Sequence, residues 1–389
     1  MKELPKGFIT KKNGDKSHQV IQVGDLLGLL QDTYGKELEL NLMSGEPELN
    51  RQPIANASVE NFYVILSRIG YKINKTPARD GLMTAAQCNS YHPVEDEFHR
   101  IELDDSIYPI DLDQVATDYL GTSDPLYDAM LATTLIGLVN RTFHHGCKFD
   151  TCLVLTGEEG IRKSTFWKEL ATENWFCDTW QNKDQDLFMA INQTLIYEFA
   201  ELDGITGVRA QASLKAVLSS ATDTYKRPYA TGIGKFPRPS ILVATSNRCD
   251  FLSDPSAIHR RFWVIPLANK EIDTRKVKQD RERIIKAAII AYRNGRKPYL
   301  KKNLQDESNR RNKNFQAEHP FMDKLSDWVK TRDNFSTEEA LIGSRCRSDE
   351  SARSNDFKEA ANCLRALGYQ KDKTQTRING SRKYLWRKI

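Results

Sequence analysis

Long apolar runs are missing from this chain: nothing in its 389 residues approaches the roughly 18–20 consecutive apolar positions of a membrane-spanning helix. The N-terminus, Met-Lys-Glu-Leu-Pro-Lys-Gly, has no apolar core of the kind a secretory signal carries. Cysteines are few, seven in all, scattered at 88, 147, 152, 177, 249, 346 and 363. With no Cys-x-x-Cys pair and an odd total, they argue against a disulfide framework and a structural zinc site, and for a reducing, cytoplasmic setting. Internal repeats and low-complexity tracts are also absent. What remains is the composition of a soluble globular protein, 39% hydrophobic and 28% charged, long enough for two or three domains and a sizeable core.

Charge of one sign is not in great excess either: the formal net value is +5, so its distribution says more than its size. The span 95–113 is acidic, with Glu95, Asp96, Glu97, Glu102, Asp104, Asp105, Asp111 and Asp113. From Arg345 onward there are twelve Lys/Arg against five Asp/Glu, with Tyr369, Tyr384 and Trp386 interleaved. Basic residues among aromatics point to a nucleic-acid partner; the plainer alternative is a solvated surface.

One more absence lies inside the most telling stretch. An apolar run, Cys152–Thr156, breaks at Gly157, and Lys163-Ser164-Thr165 opens an amphipathic stretch through Leu170. Strand, glycine-containing turn and helix N-terminus form the layout of a phosphate-binding loop. Against the template G-x-x-x-x-G-K-[ST], the chain supplies Gly157, Lys163 and Ser164, but Arg162 stands where the second glycine belongs. Glycine is favoured there because the backbone packs against phosphate and adopts unusual dihedrals. An arginine either adds charge to the site or obstructs it.

Downstream, Thr194–Phe199 reads as a buried parallel strand carrying Glu198, with Glu201 just beyond. A strand parallel to the first brings its C-terminal end beside the phosphates, where one acid holds Mg²⁺ and a second orients water. Ile241–Ser246 is a third strand, ending at Asn247, whose amide can hold an attacking water. Arg260-Arg261 precede a fourth, apolar strand; their planar guanidinium groups suit phosphate, in a neighbouring subunit if the chain assembles, or else surface ion pairs. Between these strands, Thr224–Tyr229 and Thr231–Lys235 read as a projecting hairpin. Lys226, Arg227 and Lys235 near its tip can meet a nucleic-acid backbone, with stacking on Tyr225 or Tyr229; a purely structural hairpin fits the same residues.

The flanking regions are mixed. Val23–Tyr34 has helical spacing, Met43–Pro53 reads as a loop, and Ser58 starts a capped helix ending at Gly70. His92 sits in a loop, with a structural role favoured over a catalytic one. Asp111-Leu-Asp113 reads as a helix cap rather than a metal motif. Two helices fill Val115–Phe143, interrupted at Gly121–Pro125. His144-His145-Gly146-Cys147 is taken as a loop, because no carboxylate is close in sequence. Asp273–Arg296 is an amphipathic helix, and Lys297–Lys313 a linker or exposed helix. The C-terminal end reads as helices at Met322–Val329 and Asn355–Leu367, a capping box at Ser336–Glu339, and a hairpin at Asn379-Gly380. That order outlines a winged helix whose wing carries Arg377, Arg382 and Lys383 towards phosphates.

Taken together, Tyr91-His92-Pro93-Val94, Gly157–Thr165, Tyr197–Leu202, Asp223–Tyr229, Thr245-Ser246-Asn247 and Arg260–Trp263 resemble superfamily 3 helicases of the AAA+ class. The nearer resemblance is to the virulence-associated E family of phage and genomic-island replication proteins, over about residues 90–300. The resemblance implies an α/β fold: an AAA+ P-loop core on a parallel sheet at 113–300, a mainly helical module at 1–112 and a winged-helix-like DNA-binding domain at 318–389. It implies an ATP-driven helicase or replication-initiation ATPase that assembles as a homo-oligomer, a hexamer, with ATP and Mg²⁺ as cofactors and DNA as partner. By motif position, Gly157, Glu158, Glu159, Gly160, Ile161, Arg162, Lys163, Ser164 and Thr165 would cradle nucleotide, with Ser164 and Glu198 on Mg²⁺. Glu198 and Glu201 would be the strand-end acids, Asn247 the sensor, and Arg260 or Arg261 the finger. No primase module is recognised, so priming is not expected, although a separate primase can be recruited. The competing reading is a DNA-binding replication scaffold whose phosphate loop has decayed at Arg162.

Overall fold

The computed structural model describes residues 19–181, 183–202, 208–227, 232–252, 260–268, 270–316, 321–349, 351–378 and 381–388. The first unit starts with β1 (Gln19–Val20) and α1 (Val23–Tyr34), then β2 (Leu38–Leu40), β3 (Pro47–Leu49) and β4 (Gln52–Pro53). α2 (Asn56–Glu60), α3 (Phe62–Arg68), β5 (Tyr71–Lys72) and α4 (Lys75–Gln87) complete it. Leu26, Leu30, Val59, Leu66, Ala78 and Leu82 form its core. α1 and α4 approach closely at Gly81, where a Cβ would lie 2.8 Å from Leu26.

Two expectations fail here. Met43–Pro53 is not simply a loop, since β2, β3 and β4 pair antiparallel in that order. The helix expected from Ser58 starts earlier, at Asn56, and breaks at Asn61. Ala55 occupies the cap position, with no side-chain bond, so Ser58 caps nothing.

Next come α5 (Pro93–Leu103), α6 (Val115–Leu120) and α7 (Pro125–Phe143). His92 caps α5 through Nδ1, which accepts the Glu95 amide at 3.1 Å. Asp111 accepts from the Asp113 amide at 2.9 Å, which is the capping role expected of it. α6 ends at Gly121 in the left-handed region (φ 68), and Pro125 opens α7, matching the expected interruption.

The central layer is a five-stranded, all-parallel sheet. Its strands are β6 (Cys152–Thr156), β7 (Phe176–Cys177), β8 (Ile196–Phe199), β11 (Ile241–Ser246) and β12 (Phe262–Pro266), in the order β12-β6-β11-β8-β7. α8 (Lys163–Ala171), α9 (Asp184–Asn192) and α10 (Val208–Ser219) link them, and β9 (Thr222–Tyr225) and β10 (Gly234–Pro237) form a separate antiparallel pair. α11 (Thr274–Arg293) follows the sheet. Alternate residues of each strand feed two cores. Leu153, Leu155, Val243 and Ile265 face α5, α7, α8 and α11; Cys152, Val154, Tyr197, Phe199 and Val264 face α9 and α10. Burial on both faces explains why these strands read as continuous apolar runs.

Of the two readings of 297–313, linker or exposed helix, the structure shows the helix. The stretch contains α12 (Lys302–Arg311), which docks beside β12. Gln305 accepts from the Trp263 indole at 3.1 Å, and the Asn312 amide donates to the Phe262 carbonyl at 2.8 Å.

The last unit holds α13 (Met322–Val329), β13 (Phe335–Ser336), α14 (Thr337–Gly343), α15 (Ser354–Ala366), β14 (Tyr369–Ile378) and β15 (Ser381–Lys388). Its sheet order is β13-β15-β14, antiparallel throughout, over a core of Leu325, Phe335, Leu364 and Trp386. The Ser336–Glu339 capping box forms as expected. The turn residues Asn379 and Gly380 lie outside the described residues. No helix among the described residues is long and apolar enough to cross a membrane.

Candidate functional site

The loop 157–162 joins the C-terminal end of β6 to the N-terminus of α8. At Gly157 a Cβ would lie 2.9 Å from Ile161 and 3.3 Å from the Leu267 carbonyl, so the turn has no room for a side chain. Gly160 has φ +83, which glycine adopts without strain. Arg162 also sits in the left-handed region (φ 66, ψ 32), so the conformation that favours glycine is kept with an arginine in place. Its guanidinium pairs with Glu271, and Nη1 is 3.4 Å from Thr274 Oγ1 at the start of α11. The side chain is therefore anchored outward, although its residue still borders the cleft.

Lys163 is buried and folds back over the loop. Its Nζ donates to the carbonyls of Gly157 (2.9 Å) and Glu158 (2.6 Å) and to Asn247 Oδ1 (2.9 Å). Ser164 Oγ donates to Glu198 Oε1 at 2.7 Å. Glu198 lies on β8, which is separated from β6 by β11, and β11 bridges the gap: Thr245 Oγ1 donates to the same oxygen at 2.5 Å. Oε2 of Glu198 is buried with no hydrogen-bond partner. Burial raises the Glu198 pKa above the usual carboxylate range, opposed by the Thr245 and Ser164 hydroxyls, which favour the charged form.

These groups line a cleft of about 330 Å³ together with Glu159, Gly160, Thr165, Ala200 and Glu201. Glu201 is exposed on its rim, in the left-handed region (φ 52). Larger clefts lie in the C-terminal unit (about 690 Å³) and the first unit (about 630 Å³), but neither gathers a buried acid, a lysine and a helix N-terminus. Thr245 is the functional contact that sequence reasoning left unassigned. A threonine next to last on a strand that is apolar up to that point was the available signal.

The other predicted residues are dispersed. Arg261 stands at the opposite end of the sheet: its carbonyl accepts from the Cys152 amide at the start of β6, and its Nε is 3.9 Å from Asp150. Arg260 is exposed beside it. On the β9–β10 hairpin, Lys226 and Lys235 are exposed. Arg227 instead covers the Phe236 ring at 4.3 Å and donates to the Leu42 carbonyl at 3.3 Å. Tyr225 is buried against Phe236, centroids 4.4 Å apart, so it offers no face for stacking; Tyr229 lies outside the described residues. Arg377 and Arg382 are exposed partners across β14 and β15, whereas Lys383 is bonded to Glu338 at 2.6 Å.

The virulence-associated protein E-like domain matches residues 108–317, a span that holds the whole parallel sheet, the cleft and α12. The chain belongs to that family. A search of curated proteins found no match. Two solved apo structures of the C-terminal region of NrS-1 are similar. One is 12% identical, covers 95% of this chain and 99% of its own, and has a TM-score of 0.48. The other is 11% identical, covers 92% and 98%, and has a TM-score of 0.45. The virulence-associated E-like match begins after α5 and so leaves the first unit outside it, and it stops before α13.

Proposed function

We propose that the chain is an ATP-dependent DNA helicase or replication-initiation ATPase of a phage or mobile element, built on an AAA+ core with a C-terminal winged helix. One observation carries this reading: Lys163, Ser164, Glu198 and Asn247 converge where β6, β8 and β11 end. Five parallel strands in which a neighbour intervenes between loop strand and acid strand support the AAA+ assignment. Three helices and an antiparallel hairpin support the winged helix.

The residues present fit nucleotide and Mg²⁺. The buried, unpartnered Glu198 Oε2 is an acceptor that a hydrated cation would satisfy, and Gly157 and Gly160 leave the backbone bare for phosphate. Ser164 and Glu198 would hold the ion, which neutralises charge on the phosphates. Lys163 exchanges its two loop carbonyls for phosphate oxygens. Asn247, released from Lys163, is free to orient water, and Glu201 on the rim can accept its proton. Arg260 or Arg261 acts on the cleft of a neighbouring subunit in a homo-oligomer, for which a hexamer is the natural closed form. Lys226, Lys235, Arg377 and Arg382 would contact the DNA backbone.

The scaffold reading rests on Arg162, and the outward anchoring of its guanidinium argues against it. ATP turnover with and without single-stranded DNA tests the choice. Wild type should exceed Lys163→Ala at least about a hundredfold, with Arg162→Gly close to wild type. Background turnover in wild type and Lys163→Ala, with activity appearing only in Arg162→Gly, would establish the scaffold.

A further inference from the structure

The motif Tyr91-His92-Pro93-Val94 and the loop His144–Cys147 meet, at the end of the sheet away from the phosphate loop. His145 Nε2 lies 3.0 Å from Glu95 Oε1, and His92 Nδ1 lies 3.9 Å from the same oxygen. One donor atom from each of the three falls within 4.8 Å of the others, and the two imidazole centroids are 4.8 Å apart. His92 is buried, Glu95 is half-buried and His145 is exposed. Among the described residues, the groups that act most strongly on the Glu95 carboxylate are the imidazoles of His145, His92 and His99. A carboxylate with no lysine or arginine among those neighbours is well placed to share a cation with them.

We propose that His92, Glu95 and His145 bind one divalent transition-metal ion of the zinc type. Two imidazoles and a carboxylate form a borderline nitrogen–oxygen set that suits Zn²⁺ over Mg²⁺ or Ca²⁺. With zinc–ligand bonds of about 2.0–2.2 Å, tetrahedral ligand atoms stand roughly 3.3 Å apart, so the observed separations close with side-chain rotation. His92 Nδ1 now accepts the Glu95 amide; metal binding through Nδ1 exchanges that cap for a metal bond. Glu95 offsets the cation's charge at the helix N-terminus, and water completes the shell.

The ion would clasp α5 to a loop that supports the β9–β10 hairpin. The Gly146 amide donates to the Arg238 carbonyl at 2.9 Å, just past β10, and a Cβ at Gly146 would lie 3.0 Å from Pro237. The site is therefore structural, remote from the cleft and independent of ATP.

The test uses the full chain, stripped with EDTA and titrated with Zn²⁺ by calorimetry and with Co²⁺ by visible absorption. One equivalent of zinc should bind and raise Tm, and Co²⁺ should show d–d bands of a low-coordinate nitrogen–oxygen site. Mg²⁺ at the same concentration should do neither. His145→Ala at an exposed position and Glu95→Gln at a half-buried one should each weaken zinc at least about tenfold, with circular dichroism checking that they fold. Absence of stoichiometric zinc and of the cobalt bands in wild type, or zinc uptake unchanged in both variants, would overturn the proposal.

Discussion

Arg162 holds a left-handed backbone that costs a side-chain-bearing residue roughly 1–2 kcal/mol relative to glycine. Its ion pair with Glu271 joins two half-exposed side chains and returns at most about 1 kcal/mol. Arg162→Gly should therefore leave stability unchanged within about 0.5 kcal/mol. Arg162→Ala keeps the strain without the anchor and should lose about 0.5–1 kcal/mol. Urea unfolding distinguishes them: an Arg162→Ala variant as stable as wild type would show that the anchor contributes nothing, and equal losses in both variants would show that the left-handed backbone costs nothing. Glu198 makes a second case at this scale. Burial raises its native pKa, so the cost is absent below the ordinary carboxylate range and grows as pH rises through the native value. Without nucleotide or Mg²⁺, Glu198→Gln should raise Tm by a few degrees at pH 8, where 1 kcal/mol is worth about 2–4 °C. The gain should vanish near pH 4. A variant that melts lower than wild type at pH 8 would contradict this. The sequence made the lysine, serine and acid legible through spacing alone. It could not reveal where the Arg162 side chain points, because Glu271 and Thr274 lie over a hundred positions away.

The β9–β10 hairpin is rooted by a fully buried ion pair. Arg238 Nη2 and Nε bond Asp223 at 2.5 and 2.9 Å, Asn192 of α9 donates to Asp223 at 2.8 Å, and Arg238 Nη1 donates to the Val217 carbonyl of α10 at 2.7 Å. Removing one partner strands a buried charge. Arg238→Met should cost about 3–5 kcal/mol, and adding Asp223→Leu should recover most of it, as denaturant melts would show. Failure of the double variant to recover would mean the pair does more than neutralise itself. The pairing was not visible in the sequence, where Asp223 entered only with the stretch Asp223–Tyr229 and Arg238 drew no reading. Legibility at this scale followed apolar pattern: α1 and the α6–α7 break emerged from helical spacing, and four of the five strands of the parallel sheet from continuous apolar runs. It failed where strands run two or three residues among prolines, as at Pro47–Pro53, and it left open a linker or an exposed helix where α12 docks through amides, by Gln305 and Asn312.

Across the whole molecule, exposed cations sit on two separate hairpins. If Arg377 and Arg382 meet phosphate, replacing both with alanine should lower the slope of log K against log salt by up to about 1.4–1.8 on DNA. An unchanged slope would remove the last unit from the DNA path. The polarity of the sheet has a different consequence. β6 and β12 run parallel, so the arginines that open β12 and the loop that follows β6 lie at opposite ends of strands five residues long, roughly 15 Å apart. If those arginines serve a neighbour's cleft, as proposed, each chain owns half of each of two sites. Two inactive proteins should then repair one another: Lys163→Ala keeps its arginines, and Arg260→Ala/Arg261→Ala keeps its lysine. Mixed and allowed to exchange subunits, they should regain turnover that neither has alone, while a chain carrying all three changes rescues nothing. On that proposal, the smallest working unit is the seam between two copies.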